Sequence, residues 1–260
     1  MNDQRVESLS RTGASFLRPF WNRTVRAPWL LSLLVLLILA AARFYATLGP
    51  PAARPLFLLQ CLAMWAVPFL FLTRQGRCEI GLRTQGNSAA AIAWSALAGA
   101  GSALAVFALG MALYGESPDN WCVSIRDSFQ LNQLRGSMPI AELFAMIALP
   151  AMILTPVGEE ILFRGFIQQA FSRRWNATVA TVVNGLGFGL IHLHVHGIWR
   201  DGAGFHVHVV SGALMVVLMA ATSYVFTQCR QRSGSLWTAM VAHSICNLVM
   251  IATIFFHYLN

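Results

Sequence analysis

The residues of this 260-residue chain that could do chemistry fall into three clusters, each set in apolar sequence. The first is Thr155-Pro-Val-Gly-Glu159-Glu160-Ile-Leu-Phe-Arg164. A charge at the centre of a bilayer costs ~2.5–3.5 kcal/mol or more, so two adjacent carboxylates in a hydrophobic helix call for a reason. On a helix Glu160 and Arg164 are i,i+4 neighbours and can pair. Glu159 is turned by ~100° onto another face. The pattern predicts one acid neutralised by the arginine and a free, working carboxylate beside it. The plain alternative is a structural ion pair next to a protonated Glu159.

The second cluster is Phe188-Gly-Leu-Ile-His192, followed by His194, His196, His206 and His208. His-x-His spacing sets neighbouring imidazoles ~200° apart on a helix. The last four are therefore expected to line a loop or lumen rather than converge on one point. His192 differs by position. Glu159 lies about fifteen residues before the Arg174-Trp175 turn and His192 about seventeen after it, so antiparallel helices place both ~22–26 Å from the tip, at nearly one depth. The third cluster, Gly234-Ser-Leu-Trp through His243 and Asn247, puts an imidazole and an amide on one helical face; its plain reading is an interhelical hydrogen-bonding pair. Together, a carboxylate, two histidines and an amide are the parts needed for attack of an activated water on a carbonyl. The same Glu159, His192 and His243 could instead bind a divalent metal such as zinc, whose bound water attacks. There is no Gly-x-Ser-x-Gly and no His-Glu-x-x-His, so a serine mechanism and a standard zincin lack support. The His-x-x-His-His boxes of a membrane hydroxylase are also missing.

These residues must be positioned by membrane helices. The chain is 57% apolar and 11% charged, against ~25% charged in soluble domains. The net charge is +8 and all eighteen basic residues are arginine; they flank apolar runs rather than interleave with aromatics, which excludes a nucleic-acid partner. The five cysteines form no CxxC pair, so a disulfide framework or cysteine zinc site is not expected. Apolar runs at 28–48, 55–72, 89–114, 139–171, 177–198, 205–228 and 235–257 approach or exceed the ~20 residues a span needs. The fourth is expected to kink at Pro150, Pro156 and Gly158. The fold class is thus all-α, a polytopic bundle of about seven transmembrane helices with its active site inside the membrane. Residues 1–27 read as a cytoplasmic leader before an uncleaved anchor. Residues 28–260 read as one membrane domain with its core at about 139–257. Twelve arginines fall on the side of the leader and the 73–87, 172–176 and 229–234 loops, five (Arg43, Arg54, Arg126, Arg135 and Arg200) on the other, and Arg164 inside a span. The positive-inside rule then predicts a cytoplasmic N-terminus, in the cytoplasmic membrane of a bacterium.

Glu159-Glu160-x-x-x-Arg164, Phe188-x-x-x-His192 and Gly234-Ser-Leu-Trp with His243-x-x-x-Asn247, in that order, resemble the three motifs of the CAAX prenyl endopeptidase and bacteriocin-processing membrane family, the CPBP or Abi family. Gly81-Leu82-Arg83 is also similar to that family. The motifs cover residues 159–247. The resemblance implies an intramembrane endopeptidase of glutamate type whose cavity opens between helices toward the cytoplasm. It implies Glu159 as general base, His192 holding and activating the water, His243 and Asn247 stabilising the oxyanion, and Glu160 with Arg164 ordering the motif helix. It commits the site to no cofactor, zinc on the same residues being the alternative. The partners implied are the lipid bilayer and a membrane-associated protein or peptide substrate; prenylated CAAX proteins, signalling-peptide precursors, bacteriocins and C-terminal sorting tails are all processed in this family. His194, His196, His206 and His208 stand outside its pattern. A non-enzymatic immunity or peptide-binding protein of the same fold would be expected to show a degraded catalytic set, whereas this set is complete.

Overall fold

Among the described residues seven helices are long and apolar enough to cross a membrane, and the chain is an integral membrane protein built as an essentially all-α bundle. They are α1 (Pro28–Leu48), α2 (Pro55–Phe71), α3 (Ala89–Tyr114), α4 (Ile140–Ser172), α5 (Ala177–Ile191), α6 (Val209–Ser233) and α7 (Leu236–Leu259). The structure, a computed structural model, describes residues 15–25, 27–83, 87–134 and 136–259. Most of the 1–27 leader expected from the sequence lies outside the described residues. Its described part, with a short helix at Pro19–Thr24, is strapped to the end of α2 by the Arg18 N–H to the Phe71 carbonyl (2.9 Å) and the Thr73 N–H to the Phe16 carbonyl (3.1 Å).

The connections sort to two ends of the bundle. At one end Arg173 pairs with Glu79 (2.8 Å), Arg230 Nε donates to the Ile80 carbonyl (3.2 Å), Arg83 Nε donates to the Gly234 carbonyl (3.2 Å) and the Leu236 N–H donates to the Gly81 carbonyl (2.9 Å). Gly234 ends α6 in the left-handed conformation at φ 70°, the glycine cap that turns the chain straight into α7. At the other end lie the α3–α4 connection, with short helices at Trp121–Ser128 and Leu131–Leu134, and a two-stranded hairpin, β1 (Ile198–Asp201) and β2 (Gly204–Val207), with Ile198 opposite Val207. His208 Nδ1 and Asp119 Oδ1 meet at 2.8 Å and tie these two connections together.

Three features differ from the sequence reading. The hairpin takes in Ile198 at the end of the expected fifth span and residues 205–207 at the start of the expected sixth. Its apolar Ile198, Trp199, Phe205 and Val207 continue the hydropathy of the spans, but Gly197 (φ 128°) and Gly204 (φ 134°) take conformations open mainly to glycine and turn the chain. The second difference is in α4, where helix geometry continues through Pro150 and Pro156 and changes only at Ile161–Ile167, a π-helical stretch in which all seven residues are buried. Such widened turns recur at functional sites. The third is Arg43, counted with the outer side near the end of the 28–48 span, which is buried inside the bundle.

Close approach of α7 depends on small residues, the usual means by which membrane helices meet. A Cβ on Gly99 of α3 would overlap the Ala242 carbonyl, one residue before His243, whereas a Cβ on Gly101 would meet nothing within 4 Å. Gly99→Val is expected to destabilise the bundle by at least the ~1–3 kcal/mol of ordinary overpacking, read as a lower melting temperature in detergent. Gly101→Val should melt like the unaltered protein, and equal melting of both variants would contradict this packing.

Candidate active site

The site is assembled by charges that must find partners in an apolar bundle. Glu159 lies 2% exposed on α4, and its Oε1 accepts from Arg43 Nη1 at 2.6 Å. Arg43 in turn donates from Nε and Nη2 to Gln60 Oε1 of α2 at 3.3 and 3.2 Å. Glu159 is therefore not the unpaired acid that the spacing predicted. It is half-paired: Oε2 is buried without a hydrogen-bond partner and lies 3.9 Å from His243 Nε2.

Glu160 behaves as expected toward Arg164, whose Nη1 donates to Oε1 at 2.9 Å with both side chains fully buried. The same oxygen meets His243 Nδ1 at 2.7 Å. A carboxylate oxygen accepts, so the Nδ1 proton points to Glu160 and Nε2 is turned toward Glu159. The Arg164 guanidinium is covered by aromatic faces, 4.2 Å from the Phe188 centroid and 5.2 Å from that of Phe226. Phe226 also stacks on His243 at 4.9 Å, and Phe188 presents its edge to it at 5.7 Å.

Phe188 acts a third time through its backbone. Its carbonyl accepts from His192 Nδ1 at 2.7 Å, one turn later, which leaves His192 Nε2 as the acceptor nitrogen. The spacing of Phe188 and His192 thus has a local physical basis.

The prolines of α4 help fix α7. Pro156 has no N–H for the carbonyl of Met152 four residues earlier, and Ser244 Oγ of α7 donates to that carbonyl at 2.7 Å. One turn on, Asn247 Nδ2 donates to the Ala151 carbonyl at 2.8 Å. This bond uses one of the two amide hydrogens and leaves the other, together with Oδ1, for the cavity.

Glu159, His192, His243 and Asn247 share one cavity of about 400 Å³ with Arg43 and His194, between apolar walls that include Phe57, Ile147, Leu154, Met215, Met219 and Met250. All four sequence-predicted catalytic residues are brought to it, while Glu160 and Arg164 sit behind it. Of the other histidines only His194 joins, edge-on to Phe44 at 6.1 Å. His196 is buried away from the site between Ser124 Oγ (2.7 Å) and Ser211 Oγ (2.9 Å). His206 meets Asp201 at 3.0 Å, and His208 meets Asp119. Among the described residues, no group of three or more His, Cys, Asp or Glu side chains is placed to hold a metal ion. The cavity also runs toward the end that carries Ile125 and Phe129, opposite the arginine-rich end.

Sequence reasoning missed Arg43, Gln60 and Phe226. The first two left a trace, a lone polar side chain inside each of two apolar spans, but Phe226 left none.

The comparisons with known proteins agree with this geometry. Residues 141–249 match the family described as type II CAAX prenyl endopeptidase, Rce1-like. The match covers the whole constellation on α4, α5 and α7, agrees with the CPBP resemblance and supports a CAAX-type intramembrane protease at the family level. No curated protein and no solved structure matches the chain.

Two predictions follow from the site and its surroundings. Removing one member of a buried pair costs ~3–5 kcal/mol, so Glu159→Ala should destabilise the protein and Arg43→Met in that background should restore most of the loss. Detergent melting of the single and double variants measures the coupling, and additive losses would contradict a direct pair.

At the hairpin, burial holds the His196 imidazole down at about 4 from its ordinary 6.5. The folded protein keeps His196 neutral while the unfolded chain takes up a proton below pH 6.5. Its contribution to stability is therefore full above that pH and is lost as pH falls toward 4. The melting temperature should drop less across this window in His196→Gln, which lacks the titrating group beside Asp119 and His208, than in the unaltered protein.

Proposed function

We propose that the chain is a glutamate-type intramembrane endopeptidase in which Glu159 activates a water for attack on a peptide carbonyl. The observation that carries this reading is the unpartnered Oε2 of a buried carboxylate facing a cavity between two imidazole Nε2 atoms. A water on the cavity side can hydrogen-bond both Oε2 and His243 Nε2, which lie 3.9 Å apart. Glu159 takes one proton of that water as its oxygen adds to the carbonyl carbon, and His192 Nε2 accepts the other hydrogen as a hydrogen bond. The carbonyl π pair moves onto oxygen. The free amide hydrogen of Asn247 donates to that oxyanion, and His243, held at Nδ1 by Glu160, turns Nε2 toward it; a donor of this kind is worth ~2.7–4 kcal/mol. When the tetrahedral intermediate collapses, the proton on Glu159 passes to the leaving amine. Arg43 positions the base by occupying Oε1, so that only Oε2 is available, and Arg164 positions His243 through Glu160.

The orientation proposed has the N-terminus in the cytoplasm of a bacterium. With Arg43 set aside as buried in α1, nine described arginines (Arg18, Arg23, Arg74, Arg77, Arg83, Arg173, Arg174, Arg230 and Arg232) belong to one end and three, Arg54, Arg126 and Arg200, to the other. The membrane domain is residues 28–260 with its core at about 139–257, and α1 and α2 supply the support for Glu159. The substrate is a membrane-associated protein or peptide. No observation favours the metal-dependent reading, since among the described residues no group of three or more His, Cys, Asp or Glu side chains is placed to hold an ion.

Glu159→Gln keeps an acceptor for Arg43 and removes the base. Termini mapped by mass spectrometry in membrane and secreted proteomes should include a set lost at least ~100-fold in Glu159→Gln and in His192→Ala, the scale of general-base catalysis. An unchanged set would replace this reading with a non-enzymatic peptide-binding protein of the same fold.

A further inference from the structure

Resting on the role given to His243 above, we infer that Arg164, Asn184 and Ser223 enclose a site for buried water between α4, α5 and α6, and that this water positions His243 from behind the cavity wall. A cluster of polar atoms without partners points to it. Among the described residues, the buried side-chain nitrogen and oxygen atoms that lack a hydrogen bond include Glu160 Oε2, Arg164 Nε and Nη2, Gln168 Oε1, Asn184 Oδ1 and Ser223 Oγ. All five residues are at most 2% exposed. The two further atoms of this kind are on Asn87 and on the cavity side of Glu159. Buried polar groups in folded proteins are satisfied by protein or by ordered water, because a bare one forfeits its hydration.

These atoms converge on one guanidinium. Glu160 and Gln168 lie about one turn to either side of Arg164 on α4. Gln168 Nε2 donates to Thr181 Oγ1 at 3.0 Å, which sets α5 against α4, and Asn184 and Phe188 follow on the same face of α5. The Phe188 ring centroid is 4.2 Å from the Arg164 guanidinium carbon. Asn184 Nδ2 donates to Thr227 Oγ1 at 3.3 Å, which sets α6 against α5. Ser223, one turn from Thr227, shares a face with Phe226, whose centroid is 5.2 Å from the same carbon. There is room beside them. A Cβ on Gly189 would overlap the Val216 carbonyl of α6, but one turn away a Cβ on Gly185 would stand 3.5 Å from the Ala220 carbonyl, in ordinary contact. A gap of methyl size is thus left next to Asn184 and Ser223.

The mix of atoms selects the ligand. Arg164 offers N–H donors, Glu160, Gln168 and Asn184 offer acceptors, and the Ser223 hydroxyl does either. An anion would lie beside the Glu160 carboxylate and a cation beside the guanidinium, where like charges repel strongly in surroundings of low dielectric. Water donates and accepts, and a buried water typically makes about three hydrogen bonds. Its consequence for the reaction runs through Arg164. Attraction to the Phe188 and Phe226 rings holds the guanidinium in place without directing its N–H groups. Nη1 donates to Glu160 Oε1 at 2.9 Å, and that oxygen meets His243 Nδ1 at 2.7 Å. Water on Nε and Nη2 holds the other edge and stops the guanidinium from turning. Asn184 and Ser223 are therefore positioning residues, acting on His243 through water, Arg164 and Glu160.

An experimental structure at a resolution that shows ordered water should place water within hydrogen-bond distance of Arg164 Nη2, Asn184 Oδ1 and Ser223 Oγ. Ser223→Ala removes a hydroxyl that has no protein partner among the described residues. With water joining it to Arg164, this variant should melt below the parent in detergent, whereas loss of a hydroxyl left bare in the core would leave melting unchanged or raise it. Should Ser223→Ala fail to fold, Asn184→Leu with Thr227→Val replaces both partners of the direct bond, and it too should melt lower. On a polypeptide identified by the proteome comparison, Ser223→Ala should lower kcat at least ~10-fold with KM unchanged, as expected when a catalytic group is slightly displaced. Absence of the water density, or melting at or above the parent, would overturn the site. Bound water with an unchanged kcat would overturn the positioning role. The map and the melting curves require no turnover, so they stand or fall apart from the glutamate mechanism, which its own proteome test judges.

Discussion

Two carboxylates and two guanidiniums, those of Glu159, Glu160, Arg43 and Arg164, are buried in a bundle whose core is mostly apolar. In surroundings of low dielectric each charge must be matched by a partner held in place. That requirement fixes the relation of four helices at one depth: Arg43 comes from α1, both acids and Arg164 from α4, the Phe188 ring and carbonyl from α5, and His243 from α7. Helix packing by small residues, as at Gly99 against Ala242, lets the backbones come close enough for these pairs to form.

The two pairs are not equivalent, and their difference is the basis of the chemistry. Glu160 Oε1 is closed off by Arg164 and His243 behind the cavity wall. Glu159 gives one oxygen to Arg43 and keeps the other toward the cavity. One acid holds the machinery and its neighbour faces the substrate, a division that adjacent positions on a helix make natural because the two side chains leave the axis ~100° apart.

Much of this was legible in the sequence, for reasons that can be traced to particular residues. Spans of about twenty apolar residues announce membrane helices, and the i,i+4 relations of Glu160 with Arg164 and of His243 with Asn247 are local. The equal depth of Glu159 and His192 follows from the helix rise alone. The rest depends on tertiary contact. Arg43 lies 116 residues before Glu159 in the chain and near a helix end, where it counts with the outer side rather than with a buried acid. The apolar residues at the two ends of the hairpin at 198–207 continue the flanking spans, and pairing across it depends on contacts that the sequence pattern does not mark. The π-helical stretch at Ile161–Ile167 has no compositional signature, and the direction of the cavity is set by packing between helices distant in sequence.

The most direct measurement of the chemistry is a single turnover in oxygen-18-labelled water, using reconstituted protein and a cleaved membrane polypeptide identified from the proteome comparison. A water activated by Glu159 places the heavy oxygen in the new C-terminal carboxylate of the product and none in Glu159. Heavy oxygen in the Glu159 carboxylate, with ordinary oxygen in the first product, would show that Glu159 attacks the carbonyl itself through a covalent acyl intermediate, and would contradict its role as a general base.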